Sequence, residues 1–149
     1  QGPWLAGAGR DGAVWVWNAD ALAFAPAQLT RHGTEVNAVN FSADGKVLAS
    51  AGSDGAVYLW STVNPSAEPD VLAGHGSSVN GVSFAPDGSW LVSGSGDGTI
   101  RRWSLSVDEL VAEACHTAGR NLTLEEWTQY FPTDVSSYRK TCPNLPGPE

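Results

Sequence analysis

Two sets of residues in this sequence carry the parts of a nucleophilic site. His32, Ser50 and Asp54 recur as His75, Ser93 and Asp97, and each set is followed by a tryptophan, Trp60 or Trp103. In acyl transfer such a serine attacks, the histidine takes its proton, and the carboxylate orients the imidazole. Every member of the second set stands 43 residues after its counterpart. A nucleophile is needed once, whereas a fastening is needed once per structural unit, so a hydrolase ranks last among the readings.

Other chemistry-bearing patterns fare no better. Gly7-Ala8-Gly9-Arg10-Asp11-Gly12 matches GxGxxG, but that fingerprint requires a helix after it, and Ala13-Val14-Trp15-Val16-Trp17 reads as a strand. Asn40-Phe41-Ser42 and Asn121-Leu122-Thr123 are glycosylation sequons that read as coincidences, at a strand end and a helix cap. His32, His75 and His116 lie far apart without a paired Cys or His at ligand spacing. No metal and no cofactor is expected.

The elements that position these residues come from an internal repeat. Offset by 43 positions, Gln28–Val63 falls on Val71–Ser106 with 15 of 36 residues identical and no gap. The same step backwards finds the end of an earlier copy: Leu5 for Leu48, Asp11-Gly12 for Asp54-Gly55, and Trp17 for Trp60. Within each copy Val36–Phe41 and Val79–Phe84 alternate at period 2, as do, less cleanly, Val47–Ala51, Trp90–Gly94, Ala56–Trp60 and Thr99–Trp103. The last two pairs are joined through Asp-Gly, a tight-hairpin signal. A shorter fourth strand is expected near Ala27–Leu29 and Asp70–Leu72. Four antiparallel strands every 43 residues is the spacing of a propeller blade.

Composition narrows the partners. The chain has 149 residues, 16 acidic against 8 basic, and a net charge of −8. So few cations leave no footprint for nucleic acid. The longest apolar run, Ala21 to Ala27, is far short of a membrane span and contains Pro26. With no basic leader before an apolar core, no secretory signal is read, and a cytoplasmic location is expected. The absence of Met reads as a fragment of something longer.

Gly74-His75, Phe84-Ala85-Pro86-Asp87-Gly88 and Leu91-Val92-Ser93-Gly94-Ser95-Gly96-Asp97-Gly98-Thr99-Ile100-Arg101-Arg102-Trp103 together resemble the WD-repeat (WD40) β-propeller family. Gln28–Ser61 is a second match, and residues 4–18 are the tail of a third. The resemblance implies an all-β fold of four-stranded antiparallel blades in an incomplete ring. Residues 1–105 form the repeats, with a partial blade over 1–26 and full blades over 27–63 and 70–105. It also implies that His32, Ser50, Asp54 and Trp60, and again His75, Ser93, Asp97 and Trp103, form buried hydrogen-bond networks. Partner-contacting positions carried over from the family are Arg10, Glu35, Asn37, Ser53, Ser78, Asn80 and Gly96. Only Arg10 and Glu35 of these are charged, so a highly charged partner is not expected.

After Trp103 the pattern changes. Ser106-Val107-Asp108-Glu109 and Thr123-Leu124-Glu125-Glu126 are capping boxes that open short helices. Residues 106–149 therefore read as a short α-helical C-terminal extension. The runs Ala114–Trp127 and Tyr138–Pro143 resemble the C-terminal cap of bacterial multidomain WD-repeat proteins, signalling or conflict-response chains with an upstream STAND NTPase, kinase or caspase-like domain. The implied partners are a protein or peptide ligand and the upstream blades and effector of the same chain. Cys115 and Cys142 are either two packed thiols or a disulfide, which a reducing cytoplasm disfavours. Arg102 replaces an apolar strand residue, Leu59 or Val16 in the other copies, and is expected to be neutralised by Asp108, Glu109 or Glu113. An alternative to the interaction module is a segment that completes its ring by association of several copies. In either case the leading blade is expected to expose apolar surface.

Overall fold

The computed structural model describes residues 4–21 and 25–106. The chain divides into two compact units, Gln1–Trp103 and Ser104–Glu149; the strands build the first. In chain order they are β1 (Trp4–Ala8), β2 (Ala13–Asn18), β3 (Ala27–Thr30), β4 (Val36–Phe41), β5 (Val47–Gly52), β6 (Ala56–Ser61), β7 (Asp70–Ala73), β8 (Val79–Phe84), β9 (Trp90–Ser95) and β10 (Ile100–Ser104), with a 3-10 turn at Ala19–Ala21. They form three antiparallel sheets in the orders β1-β2-β3, β4-β5-β6-β7 and β10-β9-β8. The strands anticipated from the alternation are therefore present.

The sheets do not follow the sequence copies. The strand that opens each copy pairs with the sheet before it: Leu29 of β3 stands opposite Val14 of β2, and Leu72 of β7 opposite Val57 of β6. The sheets thus run over 4–30, 36–73 and 79–104, one strand out of step with the repeat copies expected over 1–26, 27–63 and 70–105. The first sheet gains β3, and the third shows three strands among the described residues. In both places the returning chain pairs its backbone groups with the outer side of the preceding hairpin, β3 with β2 and β7 with β6.

Turn chemistry sets the hairpins. Asp11, Asp54 and Asp97 each accept a hydrogen bond at Oδ1 from the backbone N–H two residues on, that of Ala13, Ala56 or Thr99. The glycines that follow them take φ near +80°, a region open to glycine at little cost. At Gly12 a second constraint applies, because a Cβ would stand 2.4 Å from the carbonyl oxygen of His32 in the next copy. The turn can pack on the following loop only without a side chain.

Between the first two sheets Val14, Val16, Leu29, Val36, Leu48 and Trp60 form a buried cluster, flanked by Trp4, Ala6, Val39, Phe41 and Tyr58. Burying each large side chain contributes about 1.5–3 kcal/mol. The opposite face of the middle sheet is lined by Ala49, Ala51 and Val57, each 0% exposed, and β8 packs against β4 and β5. Small residues here let the sheets approach closely. Two hydrogen bonds cross this second seam, from Asn37 Nδ2 to the Val79 carbonyl at 2.9 Å and from Phe84 N–H to Asn40 Oδ1 at 3.1 Å.

The outward faces differ from the inner ones at matching positions. Leu5 is 54% exposed where Leu48 is 0%, and Ile100 is 81% exposed where Val57 is 0%. Arg102 places its guanidinium 5.6 Å from the ring centroid of Trp90. The expected acids Asp108, Glu109 and Glu113, the helical extension, Cys115, Cys142 and the second sequon lie outside the described residues. Asn40, of the first sequon, is half-buried and accepts the Phe84 bond noted above.

Candidate functional site

The histidine, serine and aspartate of each copy do converge. In the middle sheet His32 Nδ1 is 2.8 Å from Asp54 Oδ2 and its Nε2 is 2.8 Å from Ser50 Oγ. In the third sheet the corresponding distances are 3.2 Å and 2.8 Å. Taken alone, this is the connectivity of a catalytic triad. The fourth member changes its meaning. Trp60 Nε1–H donates to Ser50 Oγ at 2.8 Å, and Trp103 Nε1–H donates to Ser93 Oγ at 2.8 Å. With the serine oxygen accepting from indole and its proton directed to imidazole, a single directional chain runs Trp→Ser→His→Asp.

Access is also closed. Ser50 and Ser93 are 0% and 1% exposed, and the His32 and His75 side chains are fully buried. No carbonyl of a substrate can reach either hydroxyl. The network instead ties the loop before the inner strand to the second strand, the tight turn and the third strand, and it satisfies polar groups that would be costly to bury bare.

The two networks are not identical, and the differences were not signalled by the shared motif. Tyr58 stands edge-on to His32, centroids 4.3 Å apart at 67°, and stacks on Trp60; its counterpart is Arg101. In the third sheet Asp97 is held by more donors, the Thr99 hydroxyl at 2.6 Å and the Gly76 N–H at 2.8 Å. The Thr99 hydroxyl, then the Gly76 N–H, hold its carboxyl well below the usual carboxylate range. On the opposite turns, Asp44 and Asp87 are lowered chiefly by the backbone N–H groups of Lys46 and Ser89. The first sheet has no such network: Gly7 occupies the serine position beside Trp17.

The seven positions carried over as partner contacts adjoin in one rim formed by turns and inner-strand starts. Arg10 Nε donates to Glu35 Oε1 at 3.0 Å, bridging the first and second sheets. The Ser53 N–H donates to the Glu35 carbonyl at 2.8 Å, and Asn37 Nδ2 donates to Ser53 Oγ at 3.2 Å. Through the Val79 carbonyl Asn37 leads on to the third sheet, where the Gly96 N–H donates to the Ser78 carbonyl at 2.9 Å. A Cβ on Gly96 would stand 3.7 Å from Asn80 Nδ2. The two charges expected to face a partner are therefore spent on each other. Exposed as they are, 90% and 43%, they contribute at most about 1 kcal/mol. The sequence signal for this pair was only an opposite charge at neighbouring rim positions of successive copies.

With this geometry in place, comparison with known families adds a match. The WD40 family, described as WD domain, G-beta repeat, matches residues 26–61 and 68–104. No curated protein matches the chain.

Proposed function

We infer from the chain's two WD40 repeats that it is a protein-binding module, holding a protein or peptide on the rim of turns. WD40 repeats are generally non-catalytic scaffolds for protein interaction, so this reading needs no reactive group. The observation that carries it is the contiguity of Arg10, Glu35, Asn37, Ser53, Ser78, Asn80 and Gly96 across three sheets. A rigid scaffold with variable turn residues is the usual arrangement for recognition. The test is selection of a displayed random-peptide library on the immobilised 149-residue chain. Enriched peptides that lose binding to Glu35→Lys or Asn80→Ala support the reading; no enrichment overturns it.

The finer reading is that these repeats are the sensing part of a larger cytoplasmic bacterial signalling or conflict-response chain. An NTPase, kinase or protease domain upstream would act as effector. The resemblance of residues 114–127 and 138–143 to the cap of such chains supports it. Sequencing the gene upstream of the codon for Gln1 tests it directly.

A second reading is favoured by the exposure of Leu5 and Ile100 at positions buried elsewhere in the repeat. These faces suit association of several copies into a ring. Light scattering distinguishes the readings, since a defined small oligomer supports association.

A further inference from the structure

Position 31 departs from its copy: the chain has Arg31 there and Gly74 in the next repeat. The third sheet forms without a cation at this place, so the arginine belongs to one corner of the molecule and not to the blade plan. That corner lies between β3 and the loop from β6 to β7, residues 62–69, and holds a cavity of about 150 Å³. Leu29 and Trp60, 5% and 4% exposed, line its deep side. Pro65, Ala67 and Pro69 line it from the loop.

The loop is shaped before anything binds. Its prolines restrict the backbone, the Asn64 N–H donates to Ser61 Oγ at 3.1 Å, and the Ala67 N–H donates to the Asn64 carbonyl at 3.0 Å. The Trp60 indole N–H is already held by Ser50, so the ring offers the cavity hydrocarbon and no donor. A cavity of this size takes one benzene-sized group.

Arg31 and Glu68 also line the cavity and form an ion pair with each other. Their side chains are 48% and 78% exposed, so the pair is a weak closure that a ligand can part. Parting it leaves a cation and an anion side by side next to an apolar space. A ligand with one charge answers one of them, and a ligand with opposite charges on neighbouring groups answers both. In an α-amino acid the ammonium, the carboxylate and the side chain share one carbon.

We propose that this corner is a binding site for a free α-amino acid with an apolar side chain of the size of leucine or phenylalanine. The side chain enters between Leu29, Trp60 and the two prolines, the carboxylate pairs with Arg31, and the ammonium pairs with Glu68. The inference goes beyond the protein-binding reading and does not rest on it.

The probe is L-phenylalanine, titrated calorimetrically into the 149-residue chain. Phenylalaninamide, which lacks the carboxylate, and N-acetylphenylalanine, which lacks the ammonium, are each expected to bind about tenfold or more weakly. Glycine, with both charges and no side chain, is expected not to bind. Arg31→Gly, which installs the residue of the next copy, and Glu68→Gln should each weaken phenylalanine about tenfold and leave the melting temperature unchanged. Glu68→Gln should not weaken N-acetylphenylalanine, which has no ammonium to lose; a merely structural role for Glu68 would weaken both. Absence of saturable binding to the wild-type chain overturns the site, as does equal binding by wild type and both variants. Glycine or benzyl alcohol binding as tightly as phenylalanine overturns the assignment of an apolar amino acid.

Discussion

Ser50 is the residue on which the middle sheet turns chemically, because it is both acceptor for Trp60 and donor to His32. Ser50→Ala leaves two buried groups without partners, and each orphaned group costs about 1–3 kcal/mol. Chemical denaturation should show a loss of about 2 kcal/mol or more. Ser93→Ala should cost less, since Trp103 is only half-buried and water can replace its partner. Asp97 contributes to the pH dependence together with Asp44 and Asp87, and its shift is the largest of the three. Its carboxyl is held below the usual range by Thr99 and Gly76, so the folded chain favours the ionised form more than the unfolded chain does. That stability is fully present above the ordinary carboxylate pKa of about 3.9. It is lost as pH falls towards the lower folded value. Unfolding midpoints measured from neutral pH down into this range should fall less steeply for Asp97→Asn, and an unchanged slope would refute the assignment.

At the scale of elements, the tight turns with similar φ divide into constrained and free. Gly12 and Gly98 have φ of 82° and 80°, but a Cβ at Gly12 meets the His32 carbonyl while one at Gly98 meets nothing within 4 Å. Gly98→Ala is therefore expected to cost about 1 kcal/mol from backbone conformation alone. Gly12→Ala adds a collision with main chain and should cost at least twice that. Equal losses in thermal melts would show that the packing of the first turn on the next loop contributes little. The strands themselves were legible, because period-2 alternation and Asp-Gly are local signals. Their grouping into sheets was not. A 43-residue period looks the same wherever it is cut, and only pairing in space reveals that β3 and β7 close the sheet before them. At the site, His32, Ser50, Asp54 and Trp60 were legible as a recurrence. The crossing of Asn37 to Val79 was not, since it joins positions that do not correspond between copies.

For the described part of the molecule as a whole, the two inter-sheet seams differ in kind. One is a dry apolar cluster around Leu48 and Trp60; the other is lined with small residues and crossed by amide hydrogen bonds. The outward faces carry the same repeat positions without cover, with Leu5 and Ile100 exposed. A complementary pair of faces on one molecule favours head-to-tail contact between molecules. The 149-residue chain is expected to self-associate at raised concentration in light scattering, and Leu5→Asp or Ile100→Asp to reduce it. A mass that stays monomeric at all concentrations would count against association through these faces.

The one-strand offset between copies and sheets has a mechanical outcome. The loop between β6 and β7, residues 62–69, is the covalent passage from one sequence copy to the next, yet β7 remains laddered to β6. A protease that nicks this loop does not release a module. The downstream piece keeps its first strand woven into the upstream piece, so the severed chain holds as a non-covalent pair until β7 is peeled away. Each copy thus acts as the latch of its predecessor, and breaking the peptide bond is not the same event as separating the parts.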